Sequence, residues 1–163
     1  MTWIGIDPGV TGGIVCLTDD GAPLWFQRTP VMPGSGRTEF DLRGMSQLIL
    51  DTCTPGQGLP RCAIEKVHAM PRDGRVGAFS FGKGYGIWLG LLTAHAVSYQ
   101  EVLPQRWQAR MLAGLPRGPH TKRSALQRCQ TLFPAINLTL KRDHGIADAA
   151  LIAEYYRQTS TPS

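Results

Sequence analysis

Three carboxylates stand at positions where packing alone would not place them. Asp7 follows the apolar run WIGI, which is typical of a buried strand. Glu65 lies within a second predicted strand, RCAIEKV, and Asp148 lies within the helical pattern HGIADAALIAEYY. Because an isolated carboxylate in apolar surroundings costs free energy, each needs a partner.

Asp148 lies on the face of its helix that packs inward. The residues three, four and seven positions further on are Leu151, Ile152 and Tyr155, which form one apolar stripe with it. His144, one turn earlier, belongs to the same stripe. Both side chains are therefore predicted to face the sheet.

If the three acids meet, they need a cation between them. Gathered carboxylates repel one another and their pKa values rise unless an opposite charge is near. Carboxylate oxygens suit Mg²⁺ or Mn²⁺, and two such ions can activate a water and stabilise a leaving oxygen in phosphodiester cleavage. Each acid also has a structural interpretation. Asp7 can open an Asp-Pro-Gly turn, Glu65 can pair with a lysine or arginine across the sheet, and Asp148 can be a satisfied polar group of the core.

The elements that position these acids follow a recognisable order. Strands are predicted at 2–7, 13–18 and 24–31, joined by tight turns as in an antiparallel meander, and then at 61–67 and 99–103. Helices are predicted at 41–52, where Asp41 is the N-cap, and at 79–97, 105–112, 122–133 and 144–157, with a loop at 32–40. This order predicts an α/β fold with a mixed five-stranded sheet flanked by helices.

The composition indicates a single cytoplasmic globular domain rather than a secreted or membrane protein. The 163 residues, 42% of them hydrophobic, suit one domain over 1–157 with a frayed tail at 158–163. Four cysteines lack a CxxC or zinc-ligand spacing, and no leader is expected, so a reducing cytoplasm is predicted. The apolar stretch 85–97 is too short to span a bilayer.

Basic residues are concentrated in the middle of the chain. Positions 66–142 hold twelve Lys and Arg residues against two acids, whereas the flanks hold five against ten. Such asymmetry is typical of a surface that binds a polyanion, although a solvated basic face has the same composition. The candidates for phosphate contacts are Arg72, Arg75, Lys83, Arg106, Lys122 and Arg123.

Three segments, GIDPGVTGGI, AIEKV and ADAALIAEYY, together resemble the RuvC-type Holliday-junction resolvases of the RNase H-like superfamily. The resemblance covers nearly the whole chain, including the glycine-rich helix and PQRW. It implies an RNase H-like fold and a homodimeric, Mg²⁺-dependent endonuclease that nicks a four-way DNA junction symmetrically in recombination and repair. It also implies nucleoid association if the source is bacterial. Asp7, Glu65 and Asp148 match the catalytic acids, and Lys122 and Arg123 resemble a basic element near that active site.

The sequence departs from the resembled pattern at two places. Many members place a fourth acid three residues before the last one, where this chain has Gly145, so that role falls to His144 or Asp143. Since Asp143 can cap the final helix, we predict His144 as the fourth catalytic residue and metal ligand. Where some relatives carry a junction-wedging aromatic, this chain has His68 and Met70, which are predicted to insert at the junction centre.

The homodimer has a candidate surface on the long helix, where Gly82, Gly86 and Gly90 recur every four residues. Glycines at this spacing allow another backbone to approach, but close packing on the chain's own sheet would explain them equally well.

Alternative functions are distinguishable. An actin-like or sugar-kinase ATPase also opens with a Gly-Ile-Asp-x-Gly turn, but it needs two such domains, so no nucleotide cofactor is expected. A non-catalytic junction-binding relative would keep the basic segment and lose acids. A nuclease for another branched or RNA-containing substrate would use the same metal chemistry.

Overall fold

A five-stranded mixed sheet forms the centre of the computed structural model, which describes residues 1–53, 59–67, 74–138 and 143–160. In chain order the strands of these residues are β1 (Trp3–Asp7), β2 (Gly13–Leu17), β3 (Pro23–Arg28), β4 (Val31–Pro33), β5 (Thr38–Phe40), β6 (Arg61–Glu65) and β7 (Ser98–Val102). The central sheet has the order β3-β2-β1-β6-β7. The first three strands are antiparallel, and β6 and β7 continue parallel to β1, so the predicted fold class is confirmed.

Helices cover both faces of the sheet. They are α1 (Leu42–Thr52), α2 (Arg75–Ala94), α3 (Pro104–Met111), α4 (Thr121–Leu132) and α5 (His144–Ser160), with a 3₁₀ turn at Gly118–His120. Because side chains alternate along a strand, Ile4 and Ile6 of β1 pack with α1 and α2, while Trp3 packs with α3, α4 and α5. None of the helices in the described ranges has the length and hydropathy needed to cross a bilayer.

Glycines bring α5 into direct contact with the sheet. A Cβ on Gly5 of β1 would overlap the Ala149 carbonyl and lie 2.9 Å from the Ala153 Cβ. Further along, the backbone of Gly12 forms a parallel bridge with Gly145. The helix therefore crosses β1 with its backbone close to the strand, and this contact fixes the position of the helix relative to the strand's carboxyl end.

The segment predicted as a loop at 32–40 instead forms the β4–β5 hairpin. Met32 pairs with Glu39, and the Gly34 N–H donates to the Arg37 carbonyl at 2.9 Å across the turn. The third sheet strand was predicted to reach position 31 but ends at Arg28, because Pro30 has no N–H to continue the ladder.

Helix boundaries follow the sequence pattern with small shifts. Asp41 caps α1 as predicted, since its Oδ1 accepts from the Gly44 N–H at 3.0 Å. Helix α2 begins at Arg75, four residues earlier than predicted. Helix α5 continues to Ser160, beyond the predicted end at 157, and the Gln158 side chain donates to Glu154 at 2.7 Å. Residues 161–163 lie outside the described ranges.

Candidate active site

Asp7 and Glu65 end neighbouring parallel strands. Strands β1 and β6 pair with Ile6 opposite Ile64, and each acid follows directly after that pair. The carboxyl ends of both strands therefore meet at one edge of the sheet, as the predicted crossover topology requires. Both side chains are partly exposed, so the edge is open to solvent.

Helix α5 brings Asp148 to the same edge. The contact of Gly5 with Ala149 places the neighbouring Asp148 beside the end of β1. The pKa of Asp148 lies well above its usual value. Burial is the largest cause, and the charges of Asp7 and, to a smaller extent, Glu65 raise this pKa further. The structure thus brings the three predicted acids into one mutually repelling group.

The electrostatics of this edge disfavour three bare carboxylates. Burial raises the pKa of Asp7 to about 6, although the Gly9 N–H, 3.3 Å from Oδ1, and the Lys122 charge oppose the rise. Burial, followed by the charge of Asp7, raises the pKa of Glu65 to about 7, opposed by a hydrogen bond from Trp107. A divalent cation would remove this cost because it favours the ionised form of each acid.

The donor set suits such a cation in its chemistry. Hard divalent ions take carboxylate oxygens, which the three acids supply. His144 begins α5, and its Nδ1 is buried without a hydrogen-bond partner among the described residues. As they stand, no three His, Cys, Asp or Glu side chains of the described ranges lie close enough to form a finished metal site.

Asp143, the alternative fourth ligand, is buried and forms an ion pair with a partly exposed arginine. Arg28, the last residue of β3, donates from Nε to Asp143 Oδ1 at 3.0 Å and from a second guanidinium nitrogen to the same oxygen. The sequence interpretation gave Asp143 a capping role and did not foresee Arg28. This ion pair connects the far strand of the meander to the start of α5.

Five of the predicted DNA-binding residues are exposed basic side chains in the described ranges. Arg75 begins α2, and Lys83 lies in its third turn. Arg106 lies in α3, and Lys122 and Arg123 lie in the first turn of α4. Lys122 is close enough to the acids for its charge to lower the pKa of Asp7. The predictions for His68, Met70 and Arg72 fall outside the described residues.

The glycine stripe of α2 faces away from the sheet. A Cβ added to Gly82, Gly86 or Gly90 would meet no atom within 4 Å, so packing on the chain's own sheet does not explain these glycines. Gly84 is the glycine of this helix that packs inward, against Phe40 and the Pro8 carbonyl. Phe79, on the outward face, is 66% exposed.

Two residues that contact the candidate site were not singled out from the sequence. The Trp107 indole donates to Glu65 Oε2 at 2.7 Å, and Arg28 binds Asp143. Trp107 belongs to the PQRW segment, which the sequence analysis used only as part of the resemblance. Because a buried tryptophan N–H usually finds a hydrogen-bond acceptor, this segment could have suggested a contact with the predicted acidic edge. Arg28 gave no comparable signal because its partner is 115 residues away.

The order of the strands matches the RNase H-like fold of RuvC. RuvC of T. thermophilus in complex with a Holliday-junction substrate superimposes with a TM-score of 0.68 at 17% identity, covering 98% of this chain and 94% of that chain. A further Thermus thermophilus RuvC structure gives a TM-score of 0.65 at 17% identity, with coverage of 99% and 98%. The predicted resemblance to RuvC-type resolvases is confirmed.

At the level of sequence, the chain is similar to the chloroplastic Holliday junction resolvase MOC1 of Chlamydomonas reinhardtii. The two are 33% identical over 106 residues, which is 62% of this chain. The matched region spans only 12% of the length of that relative. No protein-family model matches the chain.

Proposed function

We propose that this protein is a divalent-metal-dependent endonuclease that resolves four-way DNA junctions. The observation that carries the proposal is the meeting of Asp7, Glu65 and Asp148 at the carboxyl edge of a RuvC-type sheet. Similarity to a relative named as a Holliday junction resolvase supports the choice of substrate. Mg²⁺ is the proposed ion, with Mn²⁺ as a substitute and two ions per site.

In this proposal the three acids hold the metal, and His144 completes the site. Bound ions would supply activation of the attacking water and stabilisation of the leaving oxygen. The carboxylates of Asp7 and Asp148 would orient the bound ions. Lys122, whose charge lowers the pKa of both acids, would attract the scissile phosphate to the site. Asp143 stays bound to Arg28 and serves to anchor the start of α5.

DNA binding is assigned to the exposed basic residues around this edge. Arg75, Lys83, Arg106, Lys122 and Arg123 would contact phosphates, so affinity should fall with salt as counterions are released. Lys66 is less available, since its Nζ lies 3.6 Å from Glu101. His68 and Met70 remain proposed as the residues that enter the junction centre, with Arg72 beside them.

The proposed assembly is a homodimer formed through the outward face of α2. Paired nicks on a two-fold junction need two active sites related by a two-fold axis. The exposed Gly82, Gly86 and Gly90 leave room for a second backbone, and Val76 and Phe79 at the amino-terminal end of the helix are 68% and 66% exposed. Burial of such apolar side chains would favour association.

A substrate panel tests the function. Purified protein with Mg²⁺ is offered four-way junctions, flaps, RNA–DNA hybrids and linear duplex, and junction-selective paired nicks are expected. Asp7→Asn and Asp148→Asn should cut at least a hundredfold more slowly, while Asp51→Asn, an exposed carboxylate of α1, should cut normally.

The panel also separates the proposal from its competitors. Preference for hybrids or flaps would favour a nuclease for another branched or RNA-containing substrate. Tight junction binding without cleavage by any divalent ion would instead indicate a non-catalytic binding protein. Full activity in excess chelator would refute the metal mechanism.

A further inference from the structure

Trp107 makes a direct hydrogen bond to one of the candidate metal ligands. Its indole Nε1 donates to Glu65 Oε2 at 2.7 Å, and the whole side chain is only 1% exposed. Indole N–H is a donor and cannot accept, so this contact favours an ionised oxygen at that position. Trp107 therefore packs in the core and also contacts a candidate metal ligand directly.

The parallel sheet explains how Trp107 reaches the acid. Glu65 of β6 pairs with Val102 of β7, and the next N–H of β6, that of Lys66, donates to the Val102 carbonyl at 2.8 Å. Both strands therefore end at the same level. Pro104 starts α3 immediately afterwards, and the first turn of this helix brings Trp107 back over the carboxyl edge.

Packing holds the ring in one orientation. Trp107 belongs to the core layer beneath α5, together with Met111 and Leu112 of its own segment and Ala147 and Leu151 of α5. A ring enclosed in this way has few alternative rotamers, because close-packed cores leave little free volume. The N–H is thus presented to Glu65 by the same core that positions the helix of Asp148.

We propose that Trp107 is a positioning residue that fixes the Glu65 carboxylate for metal binding. The proposal rests on the metal-dependent function proposed above and identifies a residue through which the chain controls that site. With one oxygen bonded to the indole, the carboxyl group is restrained from rotating away from its neighbours. Outer partners of metal ligands typically contribute tenfold to a hundredfold to metal affinity.

The chain offers a matched control in Trp88. This residue of α2 is also fully buried, but it belongs to the opposite core layer, and its indole Nε1 has no hydrogen-bond partner among the described residues. Trp88→Phe therefore makes the same change in side-chain volume and loses a buried N–H without touching the acids.

The experiment measures Mn²⁺ binding directly. Isothermal titration of the DNA-free protein gives the dissociation constant for wild type, Trp107→Phe and Trp88→Phe, and thermal melts in chelator report folding. We expect Trp107→Phe to weaken Mn²⁺ binding about tenfold or more and Trp88→Phe to leave it within about twofold. Junction cleavage by Trp107→Phe should recover towards the wild-type rate at saturating Mn²⁺, since positioning and not chemistry is impaired.

A second replacement isolates the N–H from the ring. Incorporating 3-benzothienylalanine at position 107 keeps the shape of tryptophan and replaces the N–H by sulfur, so it decides the question even if Trp107→Phe fails to fold. Unchanged Mn²⁺ affinity with this analogue would overturn the assignment. A wild-type protein that neither binds Mn²⁺ nor cleaves would instead refute the proposed function on which it rests.

Discussion

Replacing Glu65 with glutamine should stabilise the metal-free protein at alkaline pH. Burial and the charge of Asp7 raise the pKa of Glu65 from 4.5 to about 7, so the folded state holds this proton more tightly than the unfolded chain does. The stabilisation from that proton is complete below pH 4.5 and is lost as the pH rises through 7. Above pH 8 the wild-type protein therefore carries the cost of a crowded, partly buried carboxylate.

The size of the effect follows from the two pKa values. At about 1.4 kcal/mol for each pH unit, the rise corresponds to roughly 3 kcal/mol of unfolding free energy. Glutamine keeps the shape and can still accept from Trp107, but it carries no charge. For a domain of this size the difference amounts to roughly 6–12 °C in Tm.

Thermal melts of both proteins in chelator, at pH 4.5 and at pH 8.5, measure this effect. Glu65→Gln should melt higher than wild type at pH 8.5 and show no such advantage at pH 4.5, while Asp51→Asn should show no pH-dependent difference. Adding Mg²⁺ at a hundred times its Kd should remove most of the difference at pH 8.5, because an ion that binds only the folded wild-type protein contributes about 2.7 kcal/mol to its stability. A Glu65→Gln variant that melts lower than wild type at pH 8.5 in chelator would refute the crowded-carboxylate interpretation.

Three further predictions concern the surroundings of the site. His144→Ala should lose most cleavage with little change in Tm, whereas Asp143→Ala should retain activity and lose about 1–3 kcal/mol of stability because it removes the charge-assisted hydrogen bonds between Arg28 and a buried carboxylate; an inactive, stable Asp143→Ala would make that residue the fourth ligand. Lys122→Gln combined with Arg123→Gln should reduce the salt slope of junction affinity by about 2, measured by fluorescence anisotropy at several salt concentrations, and an unchanged slope would show that neither contacts phosphate. Gly86→Arg should convert the proposed dimer to a monomer in light scattering without lowering Tm, since the added side chain meets open space; a dimer that persists would place the interface elsewhere.

Much of the fold could be predicted from local patterns. The Asp-Pro-Gly turn after β1 and the alternation of strands and helices define the meander and the crossovers, and the cap at Asp41 marks the start of α1. The hairpin at Val31–Pro33 and Thr38–Phe40 was not predicted, because its pairing depends on a turn between two strands of only three residues each, most of them exposed.

Part of the candidate site could likewise be predicted from the sequence, and part could not. The acids Asp7, Glu65 and Asp148 were identifiable because each is a charged residue inside an otherwise apolar pattern. Their partners were not identifiable by that signal: the Trp107–Glu65 and Arg28–Asp143 contacts join residues 42 and 115 positions apart. Such contacts depend on how separate elements pack, which neither spacing nor propensity reveals.

The contact between Gly12 and Gly145 limits how this site can change. A Cβ at position 145 would overlap the backbone of Gly12 and the Thr11 carbonyl, so any side chain there would force the helix away from the strand. That is the position where many resembling proteins carry an acid, and here the main chain itself excludes one. Gly145→Asp would therefore not restore a missing ligand; it would separate Asp148 from Asp7. A fourth acidic ligand must therefore come from a neighbouring residue, or β1 and α5 must lie further apart. The choice of the fourth ligand in evolution thus depends on the distance between these two backbones.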